Sequence, residues 1–583
     1  MPATPRRRRL RWFALLAVGL MLAAGGAYAY LTRPAAVRAA LLDRLDAAGL
    51  VAREMGAVSF TLSDGLTIRD LAVDPRPHGQ PISDWAEASP VVHIVEAHIG
   101  LSWYDLLFGR VRIQSAKVHG ATLRIRLDRA TGRDALRTAQ ARTEFRPQLI
   151  PQLTAENVDV QILEDAGERL ALRRRWVVRA TGRPTADGYD LRFVQVGGRR
   201  LATAAPRAAA LATCHLRSDG VEASTDWFDL ELLSEFLPAS AERRLSEFDP
   251  RGHVRLKHLR ADHGGSLSAE LEVESGRCVL PVEVAATDAE PFARIDRIRG
   301  SLQLARDVAS AGEDQTGLRL AGSLQGRMRD DARVVATLEA GGIRRVATGE
   351  EDGGASVAWS ADDLTLDLAI ENWTLPTRQT APGFVTSERL PGAVRNFFWK
   401  YKPDGRASLT LRMKLDAASS ERQGWRYEGV VEALGAKVRY LHFPYDISDA
   451  RGFIRFSNDG VVLDHLTGRH GSARITLSGK LVNSEWYTGF DLVVDGRDVP
   501  LEPDLYDALP EQYRSLWREV DPLGLADIRA RIHRPHGSPE SWYLPTVEID
   551  ARLLSASLAF GDRRVRNATG RVRIGGGVVA LED

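Results

Sequence analysis

The side chains that could do chemistry are few and scattered. His253, His258 and His263 recur at five-residue spacing. On a strand an odd spacing sends successive side chains to opposite faces, so these three do not converge on a metal ion. Asp464-His465 with His470 crosses a glycine turn and reads as solvated loop. Cys214 and Cys278 are the two cysteines, too few for a disulfide framework or a Cys-rich zinc or iron–sulfur module. In an oxidising compartment they are free to bridge; two buried thiols are the other reading. The sequence contains no G-x-S-x-G, no H-E-x-x-H, no P-loop and no G-x-G-x-x-G. Nothing nominates a nucleophile or a base. The expectation is therefore a non-enzymatic protein with no catalytic residue, no cofactor and no metal.

What remains is the scaffold. The chain has 583 residues, 44% hydrophobic and 27% charged, which is the make-up of a folded protein. Its formal charge is +1, but residues 1–33 hold six arginines and no acid, leaving 72 basic against 77 acidic residues beyond them. A mildly acidic body lacks the concentrated positive face that duplex binding needs, so no nucleic-acid partner is expected. Fifty-one glycines, spread singly, point to many turns and to β structure.

The arginines Arg6, Arg7, Arg8, Arg9 and Arg11 precede an uncharged stretch from Trp12 to Leu31. About twenty residues at 1.5 Å rise cross a ~30 Å hydrocarbon core. Trp12, Tyr28 and Tyr30 stand where aromatic rings prefer the interface. The expectation is a single membrane anchor with its basic end in the cytoplasm and everything after Arg33 outside it. A cleaved signal peptide ending at Ala27-Tyr28-Ala29 is the alternative. Either exports the body.

Beyond a short helix over Ala35–Ala48, with Val37, Leu41 and Leu45 at helical spacing, alternation takes over. Val58 and Phe60 alternate with polar residues, Asp64-Gly65 supplies a hairpin turn, and Leu66 and Ile68 resume the pattern. Leu123–Asp128, Leu364–Ile370 and Arg474–Ser478 follow a strict period of two. At about 11 residues per strand and turn, roughly 40 strands would form. No low-complexity linker interrupts them, so one continuous elongated sheet is expected. The pattern L-P-x11-P-x-G occurs at Leu237, Leu390 and Leu509. Between the prolines, Val394, Phe397, Phe398 and Tyr401 in the second copy match Tyr513, Leu516, Trp517 and Val520 in the third. Each copy should open with a short amphipathic helix whose aromatic stripe packs on the sheet. An interfacial membrane helix, with Lys400, Arg514 and Arg518, is the alternative. Phe443 and Phe560, then Gly452 and Gly570, are matched as well, each glycine opening a strand. The third copy stops at Asp583, which predicts an incomplete last module with an exposed strand edge. The implied segments are 1–33 (basic tail and anchor), 34–130 and 131–236 (β regions), and repeat modules 237–389, 390–508 and 509–583.

This order of parts resembles the AsmA-like family of bacterial envelope proteins, in particular its long YhdP-type branch. The resemblance rests on the basic anchor followed by Phe60–Val73 and Val95–Asp128, on the Leu-Pro…Pro-x-Gly unit, and on Phe443–Leu481. It implies an inner-membrane protein with its body in the periplasm, folded as a long, twisted, half-open β groove. The implied role is passage of phospholipid acyl chains towards the outer membrane, a contribution to outer-membrane biogenesis, with envelope proteins as partners. Candidates for the groove wall are Leu123, Ile125, Leu127, Leu364, Leu366, Leu368, Ile370, Ile475 and Leu477. An ordinary core beneath helices or a second sheet is the competing role for them. The competing function is an envelope scaffold or assembly factor that binds proteins.

Overall fold

The computed structural model describes residues 21–22, 33–47, 50–61, 64–75, 91–102, 104–105, 112–128, 133–134, 151–165, 170–197, 211–217, 219–231, 245–262, 265–280, 292–306, 318–351, 354–360, 363–390, 392–416, 424–482, 489–535, 545–575 and 578–582. Among these residues the chain is mainly β, with 29 strands, two of them only two residues long (Arg133–Asp134 and Phe228–Asp229). Several of these strands are long. Arg333–Glu351 has 19 residues, Gly424–Tyr440 has 17 and Ile113–Asp128 has 16. Among the described residues no helix is long and apolar enough to cross a membrane. The expected anchor, Trp12–Leu31, lies outside them except for Met21 and Leu22, which are helical and exposed.

The chain divides into two compact units. The first comprises Met1–Arg243 with His253–Leu271 and Ala347–Ala358. Its helix Pro34–Ala47 lays Val37, Leu41 and Leu45 on a core of Met55, Val58, Ile68, Leu71, Val73 and Ala97. The periodicity anticipated this helix: three apolar residues a turn apart need one apolar surface to cover. The hairpin at Asp64-Gly65 forms as expected, with Val58 opposite Ile68 and Phe60 opposite Leu66. The Asp64 amide donates to Thr61 Oγ1 at 3.0 Å, which closes the turn. Strands Gly65–Pro75, Val92–Leu101 and Ile113–Asp128 pair antiparallel in chain order. Ile113–Asp128 then pairs in parallel with Leu153–Asp165. From there antiparallel order resumes through Leu170–Pro184, Gly188–Gly197, Ala212–Arg217 and Gly220–Thr225.

The second unit comprises Arg244–Gly252, Glu272–Val346 and Trp359–Asp583. From Arg294–Arg306 to Val578–Glu582 it is one antiparallel ladder of successive strands. Period-two sequence gives each strand one apolar and one charged face, and the register brings like faces together. Val334, Ile370, Leu409, Val431, Ile454 and Leu463 follow one another across six strands as direct partners. One step along, Leu324, Ala336, Leu368 and Leu411 do the same. Near the C-terminus a further row runs from Leu466 and Leu477 through Val494, Ala530, Ile549, Ile574 and Val579.

The three L-P-x11-P-x-G segments share a backbone signature. The residue before the second proline is left-handed in each: Asp249 (φ 39°), Lys402 (φ 42°) and Asp521 (φ 35°). So is the glycine that follows: Gly252, Gly405 and Gly524 have φ of 125°, 109° and 120°. A Cβ on Gly524 would sit 2.1 Å from the Ser555 carbonyl oxygen, so only glycine lets the neighbouring strand approach. The expected helices form at Gly392–Tyr401 and Glu511–Val520. The counterpart in the first copy lies largely outside the described residues, which resume at Leu245. Phe398 packs with Phe292, Phe384 and Val385, and Trp517 packs on Leu505, Ala508, Ala526 and Leu553. Phe398 and Trp517 thus cover the sheet at one margin, whereas Val394 and Phe397 of the second-copy stripe are exposed. One expectation is corrected: Gly452 and Gly570 do not open strands but lie within Phe443–Ser457 and Arg563–Gly575. Each follows a left-handed residue, Asp449 (φ 50°) or Asn567 (φ 55°), where the register slips. Phe443 begins a strand whereas Phe560 ends one, so these two are not equivalent.

Candidate functional site: the apolar face of the second unit

Two faces with different chemistry meet along every strand of the second unit. On one, Asp367 stands opposite Arg412, whose Nε donates to Oδ1 at 2.7 Å. Farther along, Arg531 grips both oxygens of Asp491 at 3.0 and 2.9 Å. Arg571 holds Asp550 in the same manner. The hydrogen bonds from Arg531 and Arg571 hold the Asp491 and Asp550 carboxyls below the ordinary carboxylate range. A broad concavity of about 1030 Å³ lies on this charged side, lined by Lys480, Asp491, Arg529, Arg531, Asp550 and Arg573 among others. Its lining carries four basic side chains, Lys480, Arg529, Arg531 and Arg573, against three acidic ones, Asp491, Glu548 and Asp550.

The other face is apolar and half-covered. Leu338, Leu366 and Met413 lie in direct register, and all three are partly accessible. Leu364, beside Ala340 and Leu415, and Leu368, beside Ala336 and Leu411, are likewise half-buried. Ile370 differs: with Met328, Ala332 and Val334 it is buried in a small core, 7% exposed. Leu477 sits opposite Leu466 and Val494, whereas Ile475 packs on the cluster of Tyr445, Ala473, Leu505 and Ala508 at the helical margin. The face thus runs from a closed margin, holding Ile370 and Ile475, to an accessible part, holding Leu364, Leu366 and Leu477. The register links these candidates on one face through Leu409, Val431, Ile454, Leu463 and Gly479.

The candidates in the first unit are placed separately. Leu123 is half-buried between Val92 and Val160. Ile125 and Leu127 pair through their backbones with Ile162 and Glu164; their side chains lie outside the described residues. Leu338, Leu411, Met413, Val494 and Ile549 lie on the same face and were not singled out in the sequence, although Leu411 and Met413 belong to the unbroken alternation Ala407–Leu415.

The groups considered for chemistry stay apart. His253 and His258 lie five positions apart on Arg251–Asp262, and His263 is outside the described residues. His465 pairs with Asp464 at 3.0 Å, and Asp464 with Arg455 at 2.7 Å, on an exposed strand rather than a loop. His470, on the same strand, points to different partners. Both thiols are free: Cys214 lies in Ala212–Arg217 and Cys278 in Leu267–Val279. Burial, with the Asp296 charge, pushes the Cys278 thiol up to about 11. Comparison with family models, with curated proteins and with solved structures gives no match for this chain.

Proposed function

We propose that the apolar face of the second unit carries lipid acyl chains, and that the protein is a non-enzymatic, membrane-anchored envelope component that moves (phospho)lipid towards an outer membrane. One observation carries this reading: apolar side chains in direct register across successive strands remain half-accessible. Among the described residues the helices Gly392–Tyr401, Pro503–Ala508 and Glu511–Val520 pack on the sheet, and the clusters they join lie at one margin. An exposed apolar strip of this length is unfavourable in water and favourable for a hydrocarbon chain, since each CH₂ withdrawn from water contributes ~0.8 kcal/mol. Head groups need no pocket of their own, because the open side of such a strip leaves them in water. The resemblance to AsmA-like proteins supports the same role, and the basic stretch before Trp12 supports an inner-membrane anchor with a periplasmic body.

The test is mass spectrometry of lipid co-purified with the full chain after extraction in a mild detergent. The proposal expects phospholipid in excess over that carried by an unrelated single-span protein treated identically. Lipid at the control level, with envelope proteins retained instead, would favour a scaffold that binds partners.

A further inference from the structure

At the closed margin of the second unit, one histidine faces two carboxylates at a spacing that suits a bound cation. His470 ends the strand Gly460–His470, and its side chain is 13% exposed. Its ring stacks on Tyr445, with centroids 3.7 Å apart and planes 20° apart. Its Nδ1 lies 2.7 Å from the Asp446 backbone carbonyl, which only accepts, so Nδ1 carries a proton and donates. The other nitrogen, Nε2, faces two carboxylates: Glu502 Oε1 at 3.4 Å and Asp504 Oδ2 at 3.7 Å. In a neutral ring with Nδ1 protonated, Nε2 presents a lone pair to two anions. A cation between them would complete the arrangement, and a first-row divalent ion suits the spacing. Bonds of about 2.0–2.2 Å to nitrogen and oxygen in a tetrahedron place neighbouring ligand atoms roughly 3.3–3.6 Å apart. The three donor atoms all lie within 4.8 Å of one another.

Tyr445 is a second, independent sign. The residue is 4% exposed, and its phenol oxygen is buried without a hydrogen-bond partner among the described residues. Its ring lies against His470, the residue whose Nε2 faces the two carboxylates. A buried hydroxyl with no acceptor is costly, by about 1–3 kcal/mol; a water or hydroxide on a bound ion would accept from it. Lys437 and Arg439, on the strand Gly424–Tyr440, are engaged with the Asp446 carboxylate at 3.1 and 3.6 Å. Imidazole with two carboxylates is a donor set suited to zinc, and a histidine whose other nitrogen donates to a backbone carbonyl is the usual second-shell arrangement.

We infer that His470, Glu502 and Asp504 form a binding site for a divalent transition-metal ion of the zinc class, with Tyr445 hydrogen-bonding to its open coordination position. The ion would tie the strand Gly460–His470 to the short helix Pro503–Ala508 and so pin the helical margin to the sheet. This inference does not depend on the lipid reading. The experiment uses the full chain in detergent, stripped with chelator and titrated with Zn²⁺, with calorimetry and metal analysis as readouts. The expected result is one equivalent bound by the wild type, with the melting temperature raised by zinc. Glu502→Gln and Asp504→Asn should each weaken uptake at least ~10-fold, while melting as the wild type does without metal. Both positions are accessible, so neither variant threatens the fold; His470→Gln, which also loses the stack, serves as a third. No uptake by the wild type overturns the inference, as does uptake that all three variants retain.

Discussion

Replacing Leu366 with arginine separates an open apolar face from a closed core. Leu366 stands between Leu338 and Met413 and is half-buried. Full burial of a leucine contributes about 1.5–3 kcal/mol, so losing half of it removes roughly 1–1.5 kcal/mol. The arginine stem recovers part of this by lying along Leu338 and Met413, and its guanidinium reaches water across the accessible side. The expected cost is about 1–2 kcal/mol, a melting shift of a few degrees in a unit of this size. Acyl chains lose more. If the guanidinium displaces four methylenes from the strip, at ~0.8 kcal/mol each, bound lipid falls on the order of 100-fold. Ile370→Arg is the matched contrast. Ile370 is 7% exposed among Met328, Ala332 and Val334, so its charge has no route to water. That substitution should cost at least 3–5 kcal/mol and disrupt the local fold. Thermal melting and lipid analysis on both variants make the assay. If Leu366→Arg collapses as Ile370→Arg does, the face is a closed core. If it folds and keeps its lipid, the strand lies off the lipid path.

Three further outcomes are expected. Gly524→Ala should lower urea stability by about 1–3 kcal/mol, because φ of 120° and the Ser555 carbonyl both exclude a Cβ; an unchanged midpoint would contradict the close approach. Cys278, with its thiol pushed up to about 11, should react with maleimide at pH 8 on the order of 100-fold more slowly than a free thiol. The third is acid sensitivity: the depressed carboxyls of Asp491 and Asp550 give stability that is complete above the ordinary aspartate range near ~4 and fades as pH falls through their lower folded values. Asp491→Asn and Asp550→Asn together should flatten that acid limb in melting curves, and an unchanged limb would mean that these pairs do not contribute.

Much of the fold was legible because one signal dominates it. A period of two marked Leu364–Ile370 and Arg474–Ser478, and strands stand there. The helix Pro34–Ala47 was legible from three residues with a single apolar surface to cover. The left-handed residues Asn372, Asp449, His465 and Asp498 were not, since a bulge changes the alternation by one position without an obligatory residue type. Gly452 and Gly570 were misplaced for that reason. The parallel pairing of Ile113–Asp128 with Leu153–Asp165 leaves no local trace, because either direction suits an apolar alternating strand. The surroundings of His470 were illegible for another reason. Its strand neighbours Asp464 and His465 face elsewhere, while Glu502 and Asp504 arrive from a helix start far along the chain. Closure at one margin, which separates Ile475 from Leu477, depends on where the helices dock and is not encoded in either strand alone.

Leu411 and Arg412 are adjacent on Arg406–Asp416 and lie on opposite faces, one against Leu368 and the other against Asp367. A photoreactive side chain introduced at each position, followed by illumination in cells and mass analysis of the purified chain, asks directly whether lipid lies on the apolar face. Acyl-chain adducts at Leu411 and none at Arg412 are the predicted result. Equal labelling at both positions, or adducts to protein alone at Leu411, would contradict it.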